Sequence, residues 1–214
     1  MAAKEISKST LKRLPIYLSH LKSIPDNGPV HISATALAAA LGMGEVQVRK
    51  DLALVSDGGR PKIGYHRENL IRDIEEFLGY TNINDAVLIG AGKLGRALLG
   101  YTGFAEYGLN IVAAFDADDA LVGTSKSGKP IMHLSRLEEI CKKHRIRIGI
   151  ITVPAEHAQA VCDELISYGI LAIWNFAPKH LDVPAGILVQ SENMAASFAL
   201  LSKHLAEQVH AEKN

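Results

Sequence analysis

AVLIGAGKLGRALLGYTGFAEYGLNIVAAFD, residues 86–116, decides the fold. It opens on an apolar run over 86–89, short enough for a buried strand. Gly90-Ala91-Gly92-Lys93-Leu94-Gly95 follows at once as a G-x-G-x-x-G loop, then a helix-like segment over 96–100. A second apolar run over 111–115 is closed by Asp116. Strand, glycine turn, helix, strand and acid come in the order of a dinucleotide-binding βαβ unit. Gly90 turns the chain tightly out of the strand, Gly92 leaves the backbone open to a pyrophosphate, and Gly95 lets the helix pack close to the sheet. The helix N-terminus offers free N–H groups and a partial positive charge to that pyrophosphate, and the whole loop, with Ala91, Lys93 and Leu94, is counted among the cofactor residues. Asp116 lies 21 positions after Gly95, where a carboxylate takes ribose hydroxyls. Its charge repels a 2′-phosphate, so the cofactor expected is NADH or NAD+ rather than the phosphorylated form.

Strands and helices continue to alternate downstream. Strands are expected over 129–132, 147–153, 170–174 and 187–190, with helices over 134–144 and 154–167 and a loop over 118–129. This order implies a doubly wound parallel sheet. The last segment, 192–209, is helix-like and carries Met194, Phe198, Leu201, Leu205 and Val209 as one seam. Such a seam packs back on its own sheet or docks on a second copy of the chain, and the sequence leaves both open.

Upstream, the polar, turn-rich stretch 79–85 marks a domain boundary. A helix is expected over 7–24, with Leu11, Leu14, Leu18 and Leu21 as its apolar face and Ser9 or Thr10 as its cap. Pro15 fits only if it lies in the first turn. Ser33 caps a short helix over 34–41, Gly42-Met43-Gly44 turns, and a second helix covers 45–55 with Val46, Val48, Leu52 and Val55 on its apolar side. This is the outline of a helix-turn-helix. Gln47, Arg49, Lys50 and Asp51 fall away from the apolar stripe; Gln pairs with adenine edges, and Arg with guanine edges or phosphates. An ordinary helical hairpin with a solvated charged face has the same outline. The turn-rich segment 57–65, with Arg60 and Lys62, resembles the wing of a winged helix, and cations there are drawn to the minor groove. Residues 49–72, counting Arg67 and Arg72, hold an excess of three positive charges. The helix over 67–78 buries Leu70, Ile74, Phe77 and Leu78.

Bulk composition narrows the classes. The chain has 214 residues, 48% of them hydrophobic, and its 23 basic and 23 acidic residues cancel. Cys141 and Cys162 read as two buried thiols, not as a disulfide framework. No signal peptide and no membrane-length apolar run stands out, so a cytoplasmic protein without a membrane partner is expected. The 9 histidines show no metal-site spacing, and no metal is expected.

Taken together, the chain resembles the Rex family of redox-sensing transcriptional repressors along nearly its whole length. The similarity rests on Arg13-Leu14, Gln47-Val48-Arg49-Lys50-Asp51-Leu52, Gly64-Tyr65, Gly90–Gly95, Ala113-Ala114-Phe115-Asp116, Thr152-Val153-Pro154-Ala155-Glu156 and Asn175-Phe176-Ala177-Pro178. The resemblance implies an α/β architecture: an N-terminal winged helix-turn-helix domain (1–80), a doubly wound Rossmann domain (81–191) and a C-terminal dimerisation helix (192–214) swapped into the partner of a homodimer. It implies binding of double-stranded operator DNA when NADH is scarce and release when NADH closes the dimer, with no hydride transferred. It adds Tyr101, Pro154 and Phe176 to the cofactor residues. Two departures stand out. The wing cations are shifted around Pro61, and the family's charged switch residues are replaced by Ser19 in the first helix and Asn193 before the last.

Two other readings compete. A small NAD-dependent oxidoreductase would need an acid/base pair facing a nicotinamide, and His157, Lys179 and His180 are its best candidates. A CoA- or nucleotide-binding module without DNA binding would share the glycine loop. The helix-turn-helix separates the repressor from both.

Overall fold

The computed structural model describes residues 6–81 and 84–211. The chain divides into two compact units, residues 1–82 and 83–214. Residues 82 and 83, within the boundary expected from the sequence, lie outside those described, as does the Met194 side chain.

The first unit runs α1 (Lys8–Ser23), β1 (His31–Ile32), α2 (Ala34–Leu41), α3 (Glu45–Val55), β2 (Tyr65–His66) and α4 (Arg67–Leu78). Ser7, not Ser9 or Thr10, caps α1 by accepting from the Thr10 N–H. Pro15 sits in the middle of α1 and not in its first turn. The carbonyl that it leaves without an N–H partner belongs to Leu11, whose side chain is exposed, so that side of the helix can turn to water. Leu11 therefore drops out of the apolar face, while Leu14, Leu18 and Leu21 remain fully buried. Ser33 caps α2, and Gly42, at φ 61°, closes it in the left-handed region where glycine is favoured. Strands β1 and β2 pair antiparallel, Ile32 opposite Tyr65. The core joins Leu14, Tyr17, Leu37, Val48, Leu52, Leu70 and Ile74. Three further expectations fail here: Val46 and Phe77 are exposed, and Asp51 is buried rather than on the charged face. Arg67 is also buried, its guanidinium donating to the Ile24 and Pro25 carbonyls at 3.0 and 2.9 Å, so it is spent on the fold.

The second unit holds β3 (Asn84–Ile89), α5 (Lys93–Gly100), β4 (Leu109–Asp116), β5 (Gly123–Thr124), β6 (Pro130–His133), α6 (Leu137–His144), β7 (Ile148–Ile151), α7 (Ala155–Ser167), β8 (Ala172–Asn175), β9 (Leu188–Ser191) and α8 (Met194–Ala211). Its seven strands lie in the order β5-β6-β4-β3-β7-β8-β9, all parallel except β5. The strand order reverses between β3 and β7, the switch point where open α/β sheets bind ligands. Alternation along β3 feeds two cores. Val87 and Ile89 pack with α6 and α7, and Ala86 and Leu88 with Leu99 of α5. The segment 118–129, expected as loop, contains the short edge strand β5 and a 3-10 turn over Asp119–Leu121. Cys141 and Cys162 are buried and free, and burial pushes the Cys141 thiol up to about 11.

Candidate cofactor cleft and DNA-reading surface

The glycines of the β3–α5 turn divide their work as steric reasoning requires. Gly90 has φ 99°, and a Cβ there would lie 2.9 Å from the Thr152 carbonyl carbon. A Cβ on Gly95 would lie 1.9 Å from the Gly90 carbonyl oxygen. Around Gly92 there is no heavy atom within 4 Å of that position, so the backbone is open. Gly92 is also the N-cap of α5 and supplies no side-chain cap, which leaves the first N–H groups of the helix available to an anion. Thr152 ties this loop to the next: its hydroxyl donates to the carbonyls of Ile89 and Gly90 at 3.0 and 2.7 Å.

Asp116 ends β4 beside the loop. Its Oδ2 accepts from the Ala91 N–H at 2.7 Å and its Oδ1 from the Asp118 N–H at 3.0 Å. The carboxylate is thereby fixed at the rim of a cleft of 660 Å3 lined by Gly90, Gly92, Asp116, Thr152, Val153 and Pro154, with α7 as its far wall. The structure thus brings Gly90, Gly92, Asp116 and Pro154 together and sets the Ala91 amide against the acid. Gly95 is buried beneath the turn, and Lys93 lines a neighbouring groove with Arg96 and Lys126. Tyr101 and Phe176 do not line the cleft. They end an aromatic chain on the α5 side of the sheet, Tyr101–Phe104–Trp174–Phe176, with ring centroids 4.8, 5.6 and 4.9 Å apart. The Trp174 indole donates to Glu192 at 2.9 Å, just before α8, a contact with no counterpart among the sequence expectations. Of the enzyme candidates, His157 reaches the cleft wall, while Lys179 and His180 do not line it.

In the first unit, Gln47, Arg49 and Lys50 are exposed on α3, and Arg60 and Lys62 are exposed in the segment between α3 and β2. Arg49 pairs with Glu45 one turn earlier. Lys62 adopts φ 66°, within a turn closed by a bridge between Arg60 and Gly64. Behind this surface, Asp51 is 1% exposed and forms an ion pair with Arg13 at 2.7 Å.

Two family models match this chain, one described as a CoA binding domain over residues 81–179 and one as a putative DNA-binding protein N-terminus over residues 5–53. A redox-sensing transcriptional repressor Rex from Porphyromonas gingivalis is 41% identical over 197 residues, covering 92% of this chain and 90% of that protein. The chain belongs to the Rex family. A Rex of Bacteroides fragilis is 39% identical over 94% of the chain and 91% of its own length. Among solved structures, the Rex-family repressor RSP in complex with β-NAD+ and operator DNA is similar at TM-score 0.89 and 31% identity, covering 98% of this chain and 97% of its own. RSP in complex with β-NADH is similar at TM-score 0.87 and 30% identity, covering 98% and 99%.

Within this Rex fold one of the two replaced switch positions has a local role. Asn193 accepts from the Ala196 N–H at 2.9 Å, which caps the start of α8. Ser19 is exposed on α1 beside Pro15, Ile16 and Leu41.

Proposed function

We propose that the chain is an NAD(H)-responsive transcriptional repressor of the cytoplasm, a homodimer that holds operator DNA and lets go when NADH binds. One observation carries the reading: a glycine-loop cleft ending on Asp116 and a helix-turn-helix presenting Gln47, Arg49 and Lys50 occur in one chain. Gly90, Ala91, Gly92, Lys93, Leu94, Gly95 and Asp116 form the pyrophosphate and ribose half of the cofactor site, with Pro154 on its wall. The Rex resemblance adds Tyr101 and Phe176 to the cofactor residues, and in the single chain both lie outside this cleft. Arg49 and Lys50 of α3 enter the major groove with Gln47, while Arg60 and Lys62 meet the backbone. The cofactor acts by differential affinity: NADH must bind the released form better than the DNA-bound form, and by linkage DNA must weaken NADH by the same factor. No hydride transfer is required.

The test is polarisation of a labelled duplex, selected by the protein from a randomised library, at fixed salt with NADH and then NAD+ titrated. Release by NADH well below the NAD+ concentration needed supports redox sensing. Tight binding indifferent to both cofactors would refute it.

A further inference from the structure

We propose that Asp51 is a positioning residue for DNA reading, which turns the side-chain amide of Gln47 so that its free edge matches adenine. The proposal rests on the reading of α3 as the recognition helix. Thr10, Arg13 and Tyr17 fall on one stripe of α1 and converge on the Asp51 carboxylate. Oδ1 accepts from the Thr10 hydroxyl at 3.1 Å, Arg13 Nη2 at 2.9 Å and Gln47 Nε2 at 3.1 Å. Oδ2 accepts from Arg13 Nε at 2.7 Å and the Tyr17 hydroxyl at 2.8 Å. Burial works to raise the Asp51 carboxyl, but hydrogen bonds from Arg13, Tyr17 and Gln47 overcome it and hold the group below its ordinary value.

An ionised carboxylate can only accept hydrogen bonds. Asp51 therefore decides which end of the exposed Gln47 amide faces inward: it must be Nε2. The remaining N–H and Oε1 are left on the outer edge as one donor beside one acceptor. Adenine offers the complement in the major groove, an N7 acceptor beside an N6–H donor. Guanine offers two acceptors there, N7 and O6, and would set O6 against Oε1. Because α1 holds Asp51 from the opposite side, the amide is oriented before DNA arrives, and the ordering cost is met in folding.

The experiment uses the full chain and a duplex selected from a randomised library by the wild type. Each base of the half-site is then replaced in turn, and affinities are measured for wild type, Gln47→Ala, Asp51→Asn and the double variant. Gln47→Ala should erase an adenine preference of about tenfold at one position per half-site. Asp51→Asn, whose amide can donate as well as accept, should reduce the preference at that same position and add nothing in the double variant. Helix content at the assay temperature, read by circular dichroism, should be unchanged throughout, which separates this effect from loss of the fold of the first unit. If Asp51→Asn does not fold, Gln47→Glu serves instead. An acceptor-only side chain is repelled by Asp51, and the preference should move from adenine toward cytosine. Asp51→Asn weakening every sequence alike with the adenine preference intact would overturn the proposal, as would Gln47→Ala or Gln47→Glu that leaves the preference untouched. A wild type that binds no duplex would overturn the DNA-reading function and the proposal with it.

Discussion

Exchanging two glycines of one loop for alanine should give opposite results. At Gly92 the backbone lies at φ −65°, outside the left-handed region that favours glycine, and the added methyl meets no atom within 4 Å. Alanine is a poor N-cap, which costs up to about 1 kcal/mol. Reduced freedom of the unfolded chain returns about 0.4–1 kcal/mol. Stability should therefore change little. The same methyl stands where a pyrophosphate must approach the α5 amides. Loss of one charge-assisted contact costs about 1.5–3 kcal/mol, or a tenfold to hundredfold rise in Kd for NADH, roughly. At Gly95 the methyl would lie 1.9 Å from a backbone carbonyl oxygen and 2.9 Å from the Thr152 hydroxyl. Neither is the end of a flexible chain, so α5 must move off the sheet at an overpacking cost of about 1–3 kcal/mol or more. Calorimetric titration of NADH and thermal melting separate the two outcomes. Gly92→Ala with wild-type NADH affinity would refute the pyrophosphate cradle. Gly92→Ala that melts as early as Gly95→Ala would refute the steric division between them.

Asp116→Ala should weaken NADH while leaving operator binding of the cofactor-free protein intact, read by titration calorimetry and polarisation; the lost bond to the Ala91 amide adds to the lost ribose contact. Arg49→Ala should cost about 1–3 kcal/mol of operator affinity if Arg49 reads a base, and less if it meets only phosphate. Placing arginine at both Leu201 and Leu205 should convert the dimer to monomers in sedimentation, with NADH binding kept. The folded-state pKa of Asp51 is depressed, so its contribution to stability is present above the ordinary carboxylate range and is lost as pH falls through the lower folded value. The stability gap between wild type and Asp51→Asn should therefore narrow in strong acid, measured by urea unfolding of the full chain at stepped pH.

The Rossmann half was legible because its signals are local. A glycine motif, two apolar runs and one acid sit within 31 residues, and each glycine meets the steric demand that its place in the motif implies. The helix-turn-helix was legible for the same reason, through Ser33, Gly42 and the spacing of Val48 and Leu52. What failed was long-range. Asp51 follows two exposed cations, and only the approach of α1, 38 positions away in sequence at Arg13, makes it an interior residue. Arg67 counted toward a basic surface until its guanidinium was seen to hold two backbone carbonyls. Pro15 does not meet the first-turn condition that the sequence sets; it is accommodated in mid-helix on the side where the Leu11 side chain is exposed, and period alone does not say which side faces water. The Trp174–Glu192 contact pairs residues on different elements and leaves no periodic trace.

The last helix joins the two functions. Phe198, Leu201 and Leu205 are 69, 64 and 58% exposed on the single chain, three large apolar side chains on one seam of α8. A contiguous apolar surface of this kind marks an interface, not a solvated face. Of the two readings that the sequence left open, packing on its own sheet is the one that these exposures disfavour. On the proposed reading the partner is a second copy of the chain, which would also give DNA reading its geometry. Two recognition helices meet half-sites about 34 Å apart only when the dimer sets their spacing. The cofactor then has no need to touch the DNA-reading residues. It has only to favour a dimer geometry in which that spacing is wrong, and a few kcal/mol of differential affinity shifts such an equilibrium from mostly bound to mostly released.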